Sequence, residues 1–476
     1  MYSPMRNFPK FNFLLNLIYL LLIAAETAAI IFLCLYIPSF LPVAAAFAVV
    51  WFISLIAAIS VAARGGSPEI NGALALLIIA LPVAGAVVYA VSRIGKKECG
   101  TFTVEGAEPE NGLENAAYEF CGVSGAGYDD AVYFKSGEEY FARLFKEIER
   151  AEKRVYLEYF IVCRGKIFSR LLSALRIAKK NGAEIKIIFD GIGSAFKAGR
   201  REMKKLKAVG AEIKIFNRLK PLVYSRLNFR DHRKIAAIDG KIAFTGGINV
   251  ADEYANIDSP YGYWKDTGVA VYGTAAKVFE GMFLSVWNGS CRLKIKDDGK
   301  PRCLPFYDSP PHRAGFCENA YAAAINSATE RVHIFTPYFC ASDKLKAALE
   351  FAAMRGVDVR IIIPHTPDKK YAFELSKTAA LPLIAKGVKF YEYTPGFMHA
   401  KSTVCDGSVF IGSYNLDFRS MRLNYECGIM FEGKICEEVE RDFWESLRLS
   451  APLRAEKISF FRRIYRFILT LFAPLI

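Results

Sequence analysis

The sequence predicts an α/β fold in two repeats related by a pseudo-twofold axis, each an α/β/α sandwich, preceded by N-terminal transmembrane helices. Three observations lead there. A run of apolar strand-like segments alternating with helical ones occurs twice, which is the pattern of sheets covered by helices. Each copy closes on a matched hairpin carrying a histidine and a lysine. And the first 97 residues are dominated by long apolar stretches unlike anything after them.

Those stretches come first in the chain. Phe13 to Ile37, Phe40 to Ala63 and Ile70 to Val91 are each long enough to cross a hydrocarbon core, which takes roughly 20 apolar residues as helix. No small-residue cleavage site stands out, so residues 1–97 are expected to stay as an anchor of two to three helices. Arg93, Lys96 and Lys97 favour a cytoplasmic location for the residues after them, while Arg6 and Lys10 ask the same for the amino terminus. Three crossings cannot satisfy both. The first segment, which carries Glu26, is the natural candidate for a re-entrant or interfacial course, and the alternative is an external amino terminus.

Residues 98–128 turn to Gly, Glu, Asn and Ser with few periodic apolar positions, and are expected as a linker. The first repeat is placed at 129–305 and the second at 306–450. Arg154-Val-Tyr-Leu-Glu-Tyr-Phe160, a helix ending near Gly182 and a strand from Glu184 to Phe189 match Arg331 to Phe339, a helix ending near Gly356 and a strand from Asp358 to Ile363. Gly210 to Phe216 then matches Gly387 to Tyr391, each leading to a hairpin. The first copy has a longer approach, and its surplus, Asn217 to Phe229, mixes Arg218, Lys220 and Arg226 with Pro221, Leu222, Val223 and Tyr224. Either an ordinary loop insertion or a membrane-facing lid fits that composition.

The hairpins carry the chemistry. His399-Ala-Lys401 leads through Asp406-Gly407 to Gly412, Ser413 and Asn415, and His232-Arg-Lys234 leads through Asp239-Gly240 to Gly246, Gly247 and Asn249. Asp-Gly tolerates the positive φ of tight hairpin turns. On a strand His and Lys two apart share a face, so each copy gathers a nucleophile, a cation and amide or hydroxyl donors. Only five histidines occur in the chain, and two of them head these hairpins.

Both hairpins resemble the paired His-x-Lys-x-x-x-x-Asp motifs of the phospholipase D superfamily. The surrounding Asn228 to Lys234, Gly246 to Tyr254, Thr336-Pro-Tyr-Phe339, Tyr391 to Phe397 and Asn415-Leu-Asp-Phe-Arg-Ser420 are similar to bacterial cardiolipin synthases in particular. The resemblance covers nearly the whole chain and implies phospholipase D-like repeats with two membrane crossings, so the first apolar segment looks like an addition. It implies His232, Lys234 and Asp239 with His399, Lys401 and Asp406 as the catalytic motifs, His232 as nucleophile and His399 as acid and base. Asp239 and Asp406 fall at the turns, an odd number of residues from their histidines, and are read as structural. Asn249, Asn415, Ser413 and Gly247 are the candidates for holding phosphate oxygens. Alignment past the hairpins sets Asp266 and Glu426 at one position, where the superfamily's carboxylate orients the catalytic imidazole. Glu253 is a second acid near the first hairpin. Two departures stand out: the second hairpin is one residue shorter between Asp406 and Asn415, and Gly247 stands where the superfamily often has Ser.

A net charge of +14 suits an anionic lipid or nucleic acid equally, and the apolar segments favour lipid. Eleven cysteines are scattered singly without Cys-x-x-Cys spacing, which disfavours zinc and suits reduced thiols. The mechanism implied needs no metal and no cofactor, and no Gly-rich nucleotide loop occurs. The expected partner is an anionic phospholipid, phosphatidylglycerol, in the cell membrane, with the catalytic part cytoplasmic and cardiolipin and glycerol as products. Water as acceptor would make the chain a phospholipase D and another alcohol a different phospholipid synthase; a membrane-anchored nuclease and a non-catalytic scaffold are further classes. Residues 451–476 place Arg462, Arg463 and Arg466 among Phe460, Phe461, Ile464, Tyr465, Phe467 and Ile468, a basic amphipathic helix of membrane-interfacial type.

Overall fold

The structure, a computed structural model, describes residues 40–63, 68–82, 101–106, 108–194, 200–217, 229–296, 298–310, 315–454, 456 and 458–475. It falls into two compact units, one made chiefly of the N-terminal residues and the other running from Lys97 to Ala473 apart from a short excursion. In the N-terminal unit, helix α1 (Phe40–Ala62) contains no charged residue and packs on α2 (Pro68–Ala80) through Ala58, Val61, Leu74, Ala75 and Ile78. Phe52, Ile53 and Ile59 of α1 are exposed. The segments Phe13 to Ile37 and Val83 to Val91 lie outside the described residues. Among the described residues no helix is long and apolar enough to cross a membrane.

The larger unit opens with a correction. The expected linker is folded: β1 (Thr101–Glu105), α3 (Gly112–Cys121) and β2 (Ala126–Gly127) lie within it. Its apolar residues are too few for a visible period, yet Phe102, Val104, Ala117, Cys121 and Val123 are all buried. Asn111 caps α3 by accepting from the Glu114 amide at 2.9 Å.

The first repeat then runs β3 (Ala131–Phe134), α4 (Gly137–Glu149), β4 (Arg154–Tyr159), α5 (Lys166–Lys180), β5 (Glu184–Asp190), α6 (Arg200–Ala208), β6 (Glu212–Phe216), the hairpin β7 (Lys234–Ile238) and β8 (Ile242–Gly246), a short β9 (Tyr263–Lys265), β10 (Gly268–Tyr272) and α7 (Thr274–Asn288). Its sheet has the order β3-β10-β8-β7-β4-β5-β6. Strand β11 (Ser290–Lys294) pairs with β1 in parallel register and ties the folded lead-in to this repeat.

The second repeat contains β12 (Arg302–Asp308), α8 (Phe316–Ser327), β13 (Arg331–Phe335), β14 (Phe339–Cys340), α9 (Asp343–Met354), β15 (Asp358–Pro364), α10 (Lys370–Ile384), β16 (Lys389–Tyr393) and β17 (Gly396–Met398). The hairpin β18 (Ser402–Cys405) and β19 (Ser408–Gly412) follows, then β20 (Leu416–Asp417), α11 (Phe418–Arg422), β21 (Glu426–Glu432), α12 (Lys434–Arg448) and β22 (Ser450–Pro452). The sheet order β2-β12-β21-β19-β18-β13-β15-β16-β22 repeats the first sheet strand for strand and adds one strand at each edge. Strand β12 starts at Arg302, so the second repeat begins slightly before residue 306, and β2 contributes to it from within the supposed linker. Helix α13 (Phe460–Phe472) closes the described chain.

Both faces of the first sheet are covered, as the near-continuous apolar runs require. Along β4, Val155, Leu157 and Tyr159 enter one core, and Tyr156 enters a second core that also contains α7 and the interior of the second repeat. That shared core fixes the two repeats against each other. The first hairpin then meets the second repeat at β21: Thr245 Oγ1 on β8 is 3.5 Å from Cys427 Sγ.

Candidate active site

The hairpin turns explain the two aspartates of the motifs. Asp239 (φ +55°) and Asp406 (φ +48°) occupy left-handed backbone positions. Asp239 accepts the amides of Glu152, Lys153 and Arg154 at 2.8–3.0 Å, and Asp406 those of Thr329, Glu330 and Arg331 at 2.8–3.0 Å. Each ties its hairpin to the start of the neighbouring antiparallel strand, and three amide donors hold each carboxyl below the usual carboxylate range despite partial burial. They pin the hairpin ends that face away from the histidines.

The histidines lie just ahead of β7 and β18, and each is held by the opposite repeat. The His232 amide donates to Tyr425 O at 2.9 Å, directly before β21. The His399 amide donates to Lys265 O at 2.7 Å, where β17 pairs in parallel with β9. Gly396 makes that pairing close: a Cβ there would lie 2.4 Å from the Tyr263 nitrogen. In consequence the carboxylates are exchanged. His232 Nδ1 is 2.9 Å from both oxygens of Glu426, and His399 Nδ1 is 2.5 Å from Asp266 Oδ2. Asp266 and Glu426 occupy equivalent positions, and each serves the other repeat's histidine. Both Nδ1 positions are thereby taken, so Glu253, on the turn Asp252–Ala255, is not the orienter.

Lys234 and Lys401 are buried and turn back to donate to the carbonyls of His232 and His399 respectively. Lys401 Nζ also lies 3.0 Å from His399 Nδ1. Six ionisable groups thus share a largely buried space. Burial first, then the lysine ammonium groups, drive both histidines well below the ordinary imidazole value. Burial lowers Lys234 to about 8 and Lys401 to about 7, with the carboxylates opposing. It also raises Asp266 to about 6 and Glu426 to about 7, against the pull of the lysines. Such a site favours neutral imidazoles when empty, and an incoming phosphodiester anion restores the balance toward cations.

The residues expected to hold phosphate are engaged differently. Ser413 Oγ donates to Glu426 Oε2 and accepts from the Cys427 amide at 3.0 Å, so the hydroxyl supports the carboxylate. A buried carboxylate is the stronger partner for it. Gly247 donates its amide to Thr267 O, and a Cβ there would lie 2.1 Å from Asp266 Oδ1; the missing side chain makes room for Asp266. Asn249 accepts from the Ile161 amide at 3.0 Å and donates to the Tyr254 hydroxyl at 2.8 Å. Asn415 donates to Asp417 at 3.2 Å.

Other residues, to which the sequence assigned no role there, shape the site. Tyr254, Trp264 and Phe397 surround the His399 ring at centroid distances of 5.3, 5.0 and 5.8 Å, and Phe160 meets the edge of His232 at 5.2 Å. Asn424 donates to Glu426 Oε1 at 3.2 Å, and the Thr267 amide to Asp266 Oδ1 at 2.8 Å. The segment before His232 is fastened by Arg230 to Asp190 at 2.6 Å, and Arg233 pairs with Glu158 at 2.8 Å. Trp264, Thr267 and Phe397 adjoin Asp266 or His399 in sequence, and that adjacency was the available signal. The extra approach loop, residues 218–228, lies outside the described residues.

Two pseudo-symmetric hairpins, each presenting an imidazole oriented by the other repeat's carboxylate, define an enzyme of the phospholipase D superfamily. The family model for the cardiolipin synthase, PLD-like domain matches residues 144–287 and 321–447, one stretch in each repeat, and the chain belongs to that family. An uncharacterized protein of Streptococcus mutans is 37% identical, the match covering 72% of this chain and 78% of the relative. A cardiolipin synthase of Clostridium perfringens is 33% identical over 73% of this chain and 77% of its own length. Phosphatidylserine synthase of Haemophilus influenzae shares the fold with a TM-score of 0.56 at 13% identity, covering 77% of this chain and 98% of that one. The chain is an enzyme of cardiolipin-synthase type.

Proposed function

We propose that the enzyme joins two phosphatidylglycerol molecules into cardiolipin and free glycerol through a phosphatidyl-histidine intermediate. The observation carrying this reading is the exchange of carboxylates. With both Nδ1 atoms directed at Glu426 and Asp266, the two Nε2 atoms remain for chemistry. His232 Nε2 attacks the donor phosphorus, the bond to the glycerol headgroup breaks, and protonated His399 gives its proton to the leaving alkoxide. In the second step the headgroup hydroxyl of the acceptor surrenders its proton to His399 and attacks phosphorus. The N–P bond then breaks and neutral His232 is restored. Glu426 stabilises the cationic phosphoimidazole between the steps, and Lys234 and Lys401 supply positive charge to the phosphate. Water in place of the second lipid gives phosphatidic acid by the same steps.

The N-terminal unit fits a membrane anchor with the catalytic unit in the cytoplasm, supported by the uncharged course of α1 and by Arg93, Lys96 and Lys97 after the last apolar segment. Reporter fusions after residue 97 test that side.

The experiment that tests the chemistry is product analysis of purified protein in phosphatidylglycerol vesicles beside His232→Ala and His399→Ala. Cardiolipin and glycerol, absent from both variants, are expected. Phosphatidic acid and glycerol would make water the acceptor, and cardiolipin from either variant would overturn the shared two-histidine site.

A further inference from the structure

Helix α13 is turned the opposite way from a helix of a soluble protein. Its polar side faces inward: Arg462 grips Glu374 of α10 with Nη2 at 2.6 Å and Nε at 3.2 Å, and Arg466 Nε reaches the same carboxylate at 2.7 Å. Arg466 is buried by this contact. The outward side carries Phe460, Phe461, Ile464, Phe467 and Ile468, of which Phe461 is 81%, Phe460 71% and Phe467 64% exposed. The helix contains no acidic residue. Exposed Arg463 and Tyr465 flank the apolar face.

An amphipathic helix of a soluble domain buries its apolar stripe. Here ion pairs attach the polar stripe to the domain and leave the apolar one uncovered. Of the three arginines that would interact with lipid phosphates in a simple surface helix, two are bound to Glu374 and only Arg463 remains outward.

We propose that α13 is a docking element for an anionic bilayer surface, held on the catalytic unit by the Arg462–Glu374–Arg466 clamp so that its phenylalanines enter the headgroup boundary. Three features select a bilayer as the occupant. The substrate of the proposed reaction is a phospholipid. The border of the apolar face is cationic and carries a tyrosine, which suits the membrane-water interface. And the clamp leads to the site: α10, which bears Glu374, begins beside Asp368 and Lys369, where Tyr338 donates to Asp368 at 2.5 Å and Lys369 lies 3.2 Å from the same hydroxyl. Tyr338 in turn meets the Phe397 ring at 6.3 Å, and Phe397 meets the His399 ring at 5.8 Å. A lipid-seated α13 therefore sets the height of that side of the site above the bilayer.

The test uses the full chain in phosphatidylglycerol vesicles. Phe461→Trp adds one tryptophan to the four native ones at a position where the domain offers no steric constraint. Against the unsubstituted protein, the added emission is expected to be blue-shifted and quenched by lipids brominated on the acyl chains. An added emission that stays water-like and unquenched overturns the proposal, whichever product the enzyme forms. The double variant Phe461→Glu with Phe467→Glu is expected to lower turnover of vesicle lipid about tenfold, with turnover of short-chain phosphatidylglycerol dispersed as monomers held within about twofold. An equal loss on both substrates, or on neither, also overturns it.

Discussion

His399 meets three aromatic rings and a single oxygen of Asp266, whereas His232 meets one ring and shares both oxygens of Glu426. The second oxygen of each acid differs as well. Asp266 Oδ1 is taken by the Thr267 backbone amide, a partner that cannot rotate, while Glu426 is steadied by the side chains of Ser413 and Asn424. The acid behind one imidazole thus has a backbone donor on its far oxygen, and the acid behind the other is met by side-chain donors. Equivalent positions in a repeat need not tolerate equivalent changes, and matched substitutions in the two halves expose the difference.

The largest effect belongs to the histidines. His232→Ala and His399→Ala should each lower turnover by about 10⁴-fold or more, since neither partner replaces the other. Rapid quench sharpens the comparison: with a substrate bearing an activated leaving group, His399→Ala should still form the phosphatidyl-enzyme, and His232→Ala should not. Intermediate formed only in His232→Ala would exchange the roles.

Next come the acids. In Asp266→Asn the Thr267 amide keeps the oxygen, so the new NH₂ faces His399 Nδ1 and imposes the wrong tautomer; a loss of about 10³- to 10⁴-fold is expected. In Glu426→Gln the Asn424 donor keeps the oxygen at Oε1, which also faces His232, and the loss should stay near about 10²-fold. Equal losses in steady-state kcat would break the proposed distinction.

The equivalent pair Gly247 and Ser413 ranks third. Gly247→Ala drives a methyl group into Asp266 and should cost about 10²-fold, whereas Ser413→Ala removes one hydrogen bond to Glu426 and should cost about tenfold. The two kcat values, with KM little changed, decide it.

The pH dependence is the finest comparison. The proposed mechanism requires both carboxylates ionised, so kcat/KM should rise with pH through about 6 for Asp266 and about 7 for Glu426. Glu426→Gln should remove the upper step and leave the lower. Stability moves the other way. The Glu426 carboxyl titrates higher in the folded state than its ordinary value of 4.5, so the folded state holds that proton more tightly. Its contribution is present below pH 4.5 and is lost as pH rises to about 7. Thermal melts of Glu426→Gln should therefore exceed those of the unsubstituted enzyme at pH 8 by a few degrees, with little gain at pH 4.

Much of this architecture is legible in the amino-acid order alone. The doubled order of strands, the two hairpins and the aspartates at their turns follow from period, spacing and Asp-Gly chemistry, and Asp266 and Glu426 from alignment of one half on the other. The exchange between halves is not legible there, because it depends on the Gly396 crossing and on a one-residue bridge between Asp231 and Tyr425. Nor is the fold of residues 101–127, whose strands gain partners only far along the chain, at β11 and β12. Ser413 reads as a phosphate donor because a hydroxyl beside a catalytic hairpin usually has one obvious acceptor, and the sequence does not reveal that Glu426 stands closer. The arginines of α13 read as a lipid-facing set because Glu374 lies 88 residues from Arg462 in sequence.

The reciprocal placement of the acids bears on how such a chain is inherited and how it can be divided. Either half alone holds an imidazole without its orienting acid and an acid without its imidazole, so on the proposed mechanism a separated half has no working centre. Two identical halves in a symmetric pair would each supply the acid that orients the other's imidazole, and so complete one two-histidine centre between them. A chain divided between β11 and β12 should accordingly behave as two mutually dependent subunits, silent apart and active on reunion, with activity second order in fragment concentration at low dose.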